Sequence, residues 1–231
     1  MESSLNLRGR AVSEMFRLRI TFSKDGRLRW LSHLEVMRAM ERLVRRSGLP
    51  YAVTQGFNKH MRTAIGPALP VGTAGLNEIF DVWLVEYVAV DQAAQMLTQA
   101  AGDALGVKAV EYVLTTAKGL QATHVINHYL LVVDTGGLNT AELQFSLDSI
   151  CAMPKFEVTQ KKKTKTLDLA SIIIEPLQVL SVATDGGCVL LSCTLRTLST
   201  GSLRPEQLVM AALDGRGDIV SVTRTSLAEE A

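Results

Sequence analysis

Cysteines, aromatic residues and long apolar runs are all scarce in this 231-residue chain, and each shortage removes a class of protein. Cys151, Cys188 and Cys193 are the only thiols, an odd and sparse set that argues against a disulfide scaffold. They form neither a C-x-x-C pair nor a three-cysteine run, so neither zinc nor an iron–sulfur cluster is expected, and buried inert thiols are the plain reading. If Cys188 and Cys193 share a strand, their spacing points them to opposite faces. No apolar run approaches the roughly 18 residues of a membrane helix, and Met1–Met15 lacks the apolar core of a signal peptide. A cytoplasmic protein without a membrane partner is expected. Aromatics make up 5% of the chain, and no strand carries the aromatic words with which a standard RNA recognition motif stacks bases. Gly-rich phosphate loops, H-E-x-x-H and G-x-S-x-G are absent as well, so the sequence implies no cofactor.

What is present is a packed-protein composition, 47% hydrophobic and 20% charged, with the charge sorted along the chain. Residues 16–63 hold eleven Lys/Arg against Asp25, Glu35 and Glu41, a local +8, whereas the whole chain is +1 and residues 64–150 are −7. A locally basic surface is the footprint expected of a polyanion such as RNA. Within this segment Lys24, Arg27, Arg29, Arg38, Arg42, Arg45, Asn58 and Arg62 are the candidate contacts to RNA or to a protein partner, together with His33 and His60. Lys161, Lys162, Lys163 and Lys165 offer a second basic element, for which a solvated hairpin tip is the plain alternative.

Ser32-His33-Leu34-Glu35 has the form of a capping box, so a helix should start there. Leu34, Met37, Met40, Leu43 and Val44 then mark one apolar stripe that Gly48 and Pro50 end. The arginines fall largely outside the stripe, on what is either a nucleic-acid face or simply a solvated one. His33 sits at the first helical position, where the helix dipole disfavours a protonated ring. His33 and His60 are therefore the two weak candidates for a general base, with a purely structural role for either equally open. His124 and His128 lack a nearby carboxylate or thiol to complete a metal site, and none is assigned.

Periodicity predicts strands at Arg17–Ser23, Tyr51–Gln55, Ile79–Tyr87 and Val107–Leu114, with helices at Ser32–Ser47 and Asp91–Ala101. A similar order follows after a Lys118–Thr123 linker: strand Asn127–Asp134, helix Thr140–Ala152, a long hairpin through Phe156–Val182 and Cys188–Leu198, helix Arg204–Ala212 and strand Ile219–Thr225. The reading is an α+β protein of two tandem ferredoxin-like (βαββαβ) domains with antiparallel sheets, at 16–117 and 124–226, behind a flexible tail at 1–15.

Several fixed words now recur in order: Phe22-Ser23-Lys24-x-Gly26, Leu31-Ser32-His33-Leu34-Glu35-x-Met37-Arg38-x-x-Glu41-Arg42, Gly48-Leu49-Pro50, Gln55-Gly56-Phe57-Asn58-x-His60 and Leu69-Pro70-Val71-Gly72. Weaker matches follow at Lys163–Asp168 and at Gly201-Ser202-x-Arg204-Pro205. With these words the chain resembles the radical-SAM-linked protein family, a domain of unknown function encoded beside or fused to a radical SAM protein. It departs from that family at Asn58-Lys59-His60-Met61, where the family's turn carries two prolines. The resemblance implies a radical SAM protein as partner and supplies no activity. Three readings follow: a non-catalytic RNA-binding accessory protein of a radical SAM enzyme, a metal-independent endoribonuclease using His33 or His60, or a pure protein–protein adaptor.

Overall fold

A computed structural model of the chain describes residues 15–102, 105–160, 163–183, 187–198 and 201–230. The predicted tail at 1–15 therefore lies outside the described residues except for Met15. The elements run β1 (Phe16–Lys24), a 3-10 turn (Gly26–Trp30), α1 (His33–Ser47), β2 (Thr63–Ile65), β3 (Ala74–Leu84), α2 (Val90–Ala101), β4 (Gly106–Val113) and a short α3 (Leu120–Thr123). They continue with β5 (Ile126–Asp134), α4 (Thr140–Cys151), β6 (Lys155–Gln160), β7 (Lys163–Asp168), a single-turn α5 (Leu169–Ile172), β8 (Ile173–Val182), β9 (Cys188–Arg196), α6 (Pro205–Leu213) and β10 (Asp218–Ala228).

The result is a mixed α+β fold around one large, mostly antiparallel sheet, ordered β4-β1-β3-β10-β5-β9-β8 with β2 added beside β3. Where the sequence suggested two sheets, β3 and β10 pair in parallel at Thr223–Ala74 and Arg224–Gly75 and join the halves into one. On either side of that seam, each half sets its own strands in the order fourth, first, third, second, with the β6–β7 hairpin inserted as a separate two-stranded sheet in the later half.

Two apolar clusters hold the layers. In the first half Leu18, Ile20, Phe22, Phe80 and Val82 pack with Val36, Met40, Leu43 and Val44 of α1 and with Ala93 and Leu97 of α2. In the second, Leu131, Val133, Val189 and Leu191 pack with Leu143 and Leu147 of α4 and with Leu208 and Val209 of α6. Between them, Arg224 of β10 is buried and donates to Glu78 of β3 (Nε to Oε1, 3.0 Å), Asn127 Oδ1 (3.0 Å) and the Pro67 carbonyl (2.8 Å). A charge taken from water at this position is tolerable because its donors find fixed acceptors.

Several local expectations shift. The backbone at 51–53 makes only the isolated bridges Tyr51–Leu84 and Val53–Met61, and the strand beside β3 is Thr63–Ile65 instead. The buried face of α1 carries Val36 rather than Leu34, which is 57% exposed, so the stripe is rotated from the predicted one. His124 terminates α3 with Nδ1 2.8 Å from Thr123 Oγ1, whereas His128 lies on β5 with Nδ1 2.9 Å from Thr194 Oγ1. The pair therefore occupies two elements. Among the described residues no three His, Cys, Asp or Glu side chains gather closely enough to hold a metal ion, and no helix is long and apolar enough to cross a membrane. Cys193 is buried, which pushes its thiol pKa up, while Cys151 and Cys188 are half-buried.

Candidate nucleic-acid interface

The basic segment divides by secondary structure into cations that build the fold and cations that face solvent. On β1, the alternation that sends Leu18 and Ile20 into the core turns Arg17 and Arg19 to the opposite face. There both meet Asp81, itself fully buried: Arg17 Nε donates to Oδ2 at 2.8 Å and Arg19 Nε to Oδ1 at 2.9 Å. Arg17 also donates to the Ala117 carbonyl at 2.6 Å, tying the inter-half connection to the sheet. Lys24, a candidate contact on sequence grounds, is 2% exposed and donates through Nζ to the Pro70 carbonyl at 3.1 Å. Burial lowers its pKa. An ammonium held inside to anchor the 67–73 loop is not on the surface for a phosphate, and Lys24 leaves the candidate set.

The exposed cations gather on α1 and the segments beside it. Ser32 starts the helix, its backbone N–H and hydroxyl both donating to the Glu35 carboxylate at 2.8 and 2.7 Å, which holds that carboxyl below its usual pKa. Gly48 ends it at φ +78°, a left-handed position that favours glycine. Between these caps Arg38, Arg42, Arg45 and Arg46 are all exposed, opposite the buried Val36, Met40, Leu43 and Val44. Arg42, Arg45 and Arg46 fringe a groove of about 500 Å³ whose apolar lining is Leu28, Leu31, Ala39 and Leu105. Arg46 also donates to the Ala100 carbonyl, which joins α1 to the end of α2.

Flanking the helix, Arg27 is exposed and Arg29 half-buried on the 3-10 turn. Arg29 holds its guanidinium 5.1 Å from the Trp30 ring centroid, and Trp30 is 61% exposed. Gly72, at φ +90°, packs against it: a Cβ there would stand 3.3 Å from Trp30 Cζ3, close enough that the indole would have to give by a few tenths of an ångström. The loop at 54–60 is tied at its base, with Thr54 N–H donating to the His60 carbonyl at 2.8 Å and His60 N–H to Thr54 Oγ1 at 3.1 Å. Every residue from 53 to 60 is exposed, Asn58, Lys59 and His60 included, and Phe57 at the tip is 105% exposed. Arg62 follows, exposed, 4.9 Å above the Trp83 ring whose other partner is Arg17 at 4.8 Å.

The two histidines occupy different surroundings. His33 is half-buried and lines a cavity of about 10 Å³ with Lys24, Glu78, Ile65 and Leu69, room for about one water and not for a nucleotide. Its pKa is lowered chiefly by burial, then by the Arg224 and Lys24 charges, so the ring is neutral near pH 7 for a stronger reason than the helix end alone. His60 lies on the exposed loop and is no part of that cavity, nor is Arg38. Of the lysine-rich element, Lys161 and Lys162 fall outside the described residues; Lys163 and Lys165 lie on β7, with Lys165 exposed.

Sequence reasoning passed over Arg46 as a groove residue and the exposure of Trp30 and Phe57. A signal for the aromatics was present: Phe57 is flanked by Gln55, Gly56, Asn58 and Lys59 and Trp30 follows Arg27-Leu28-Arg29, so Phe57 belongs to no apolar period.

Among solved structures, the fold is similar to a chain of a Cbf5–Nop10–Gar1 complex, with a TM-score of 0.52 at 10% identity over 93% of this chain and 50% of that one. A chain from an H/ACA RNP bound to a substrate RNA containing 2′-deoxyuridine matches with a TM-score of 0.50 at 11% identity, over 93% of this chain and 49% of the other. The present chain thus spans about half the length of these structural relatives, and at such identities the likeness is one of fold. No curated protein matches the sequence. A family model does, across residues 17–205, from β1 through both halves to the start of α6, and on that match the chain belongs to DUF2344, a family of uncharacterized proteins conserved in bacteria.

Proposed function

We propose that the protein is a non-catalytic, RNA-binding accessory protein that works with a radical SAM enzyme, presenting a structured RNA to a partner that carries the chemistry. The observation that carries this reading is the separation of the basic segment by α1: its core face is apolar, while Arg38, Arg42, Arg45 and Arg46 all face solvent, with Arg27 exposed on the turn that leads into the helix. Phosphates bind where exposed cations are carried on one surface, and release of counterions then drives association. In support, a structure of similar fold is that of an RNP bound to a substrate RNA. The radical SAM partner rests on the resemblance of the sequence words given above. The same reading takes 16–117 and 124–226 as two ferredoxin-like units fused edge to edge, and places the protein in the cytoplasm. Lys163 and Lys165, on the hairpin strand, would extend the contact, as would Asn58 and His60 on the loop.

The test is equilibrium binding of the purified chain to total tRNA and rRNA across a salt series, with RNA integrity checked on a gel from the same tubes. Log affinity that falls linearly with log salt, with intact RNA, is expected. Cleavage abolished by His33→Ala or His60→Ala would establish the nuclease reading instead, and no binding at low salt would leave a protein partner as the target of the arginines.

A further inference from the structure

We propose that the basic half holds unpaired nucleotides by stacking, with Phe57 at the tip of the 54–60 loop and Trp30 on the 3-10 turn as two aromatic platforms for nucleobases. This rests on the RNA reading above and adds which form of RNA the surface selects.

Two features make the assignment. Phe57 is 105% exposed, so its ring buries no surface in this chain, and it stands on a loop whose sequence neighbours are polar or glycine. The loop that carries it is tied, since the Thr54–His60 hydrogen bonds close its base, so the ring is presented from a fixed stem and not from a free tether. Lys59 and His60, both exposed, stand next to it in sequence.

Trp30 is built differently and to the same effect. Its indole rests against Gly72, where a side chain would intrude, and the Arg29 guanidinium lies at 5.1 Å from its centroid. The ring remains 61% exposed. An indole positioned by a glycine and flanked by a cation offers a π-face to a base and a charge to the phosphate beside it. This also explains Leu69-Pro70-Val71-Gly72, a word that the arginine face leaves unused: Lys24 holds the Pro70 carbonyl from beneath while Gly72 receives Trp30.

An aromatic face can stack on a base only when that base is unstacked from its own helix, as in loops, bulges and single strands. A blunt duplex offers phosphates to the arginines but no free base face to Phe57 or Trp30. Elsewhere in the chain, Phe145 is 75% exposed on α4, three positions from Glu142 and from Asp148 on a helix with no Lys or Arg, and serves as the internal control.

The experiment compares the full chain and its variants for binding to a fluorescein-labelled oligouridylate and to a blunt RNA duplex of the same length, by anisotropy across salt, with Trp fluorescence recorded in parallel. Phe57→Ala and Trp30→Ala should each weaken oligouridylate binding by about tenfold with an unchanged salt slope and unchanged duplex affinity. Phe57→Tyr should restore binding, Phe145→Ala should match the parent, and oligouridylate should quench fluorescence in the parent far more than in Trp30→Ala. Equal losses on both RNAs, or no loss in the Phe57→Ala/Trp30→Ala double variant while the parent binds, would overturn the stacking assignment and leave the phosphate reading standing, with the two rings free for a protein partner. A parent that binds neither RNA would overturn both.

Discussion

The two halves of the sheet share one strand order and carry opposite chemistry on their first helices, α1 and α4. In the first half α1 exposes Arg38, Arg42, Arg45 and Arg46. In the second, α4 carries Glu142 and Asp148 with no basic residue, and its Phe145 faces solvent, while the Gln144 amide turns inward to the β8 backbone at Leu177 and Val179. The buried sides are alike, Val36, Met40, Leu43 and Val44 in one case and Leu143 and Leu147 in the other. A frame set by apolar alternation leaves the outer helix face free to vary, so function is to be sought where the repeated halves differ.

The seam between the halves gives the largest expected effect. Arg224→Met leaves Glu78 buried without its cation and should cost about 3–5 kcal/mol of stability, read as a lowered midpoint in urea. A near-neutral result would mean that the two halves do not depend on this bridge. Next, reversing charge on α1 with Arg42→Glu and Arg45→Glu should flatten the RNA salt slope by about one unit per lost phosphate contact and reduce affinity at least in proportion. Arg216→Glu, an exposed position in the second half, should change neither. Equal losses at both positions would erase the distinction drawn here. Gly72→Ala places a Cβ against Trp30 at φ +90° and should destabilise by about 1–2 kcal/mol, with a shift in Trp emission that a remote surface substitution does not produce.

The smallest effect is on pH. Burial, aided by neighbouring cations, lowers the pKa of His33 and of His124 below the ordinary 6.5. The unfolded chain therefore takes up protons near pH 6.5 that the folded chain refuses, so stability is fully present above that pH and falls as the pH drops toward the folded-state values. His33→Gln should flatten part of that slope in urea titrations between neutral and mildly acidic pH. An unaltered slope would mean that His33 is hydrated in solution.

Much of this was legible in the sequence, for local reasons. Ser32 with Glu35 and the closing Gly48 mark α1 at both ends because capping is chemistry between near neighbours. Periodicity marks β1, α1, α2 and β4 of the first half and β5, α4, α6 and β10 of the second, but it misplaces β2, which lies at Thr63–Ile65, and it runs β6, β7 and β8 together into one hairpin arm. The β3–β10 junction was not legible, because a parallel contact between Gly75 and Arg224 depends on strands far apart in sequence. For the same reason the charge count overstated the surface: Arg17, Arg19 and Lys24 are taken up by Asp81 and by the Pro70 carbonyl, partners 46 to 64 positions away. Composition counts a buried and an exposed cation alike. It also hid the stacking rings, since 5% aromatics says nothing of which of them face water.

The most direct test of the central claim is ultraviolet crosslinking of bound RNA followed by mass spectrometric mapping of the modified peptides. The account predicts crosslinks concentrated in 26–62, on the peptides that carry Trp30, the α1 arginines and Phe57. Crosslinks concentrated on α4 or α6, with none in 26–62, would contradict it.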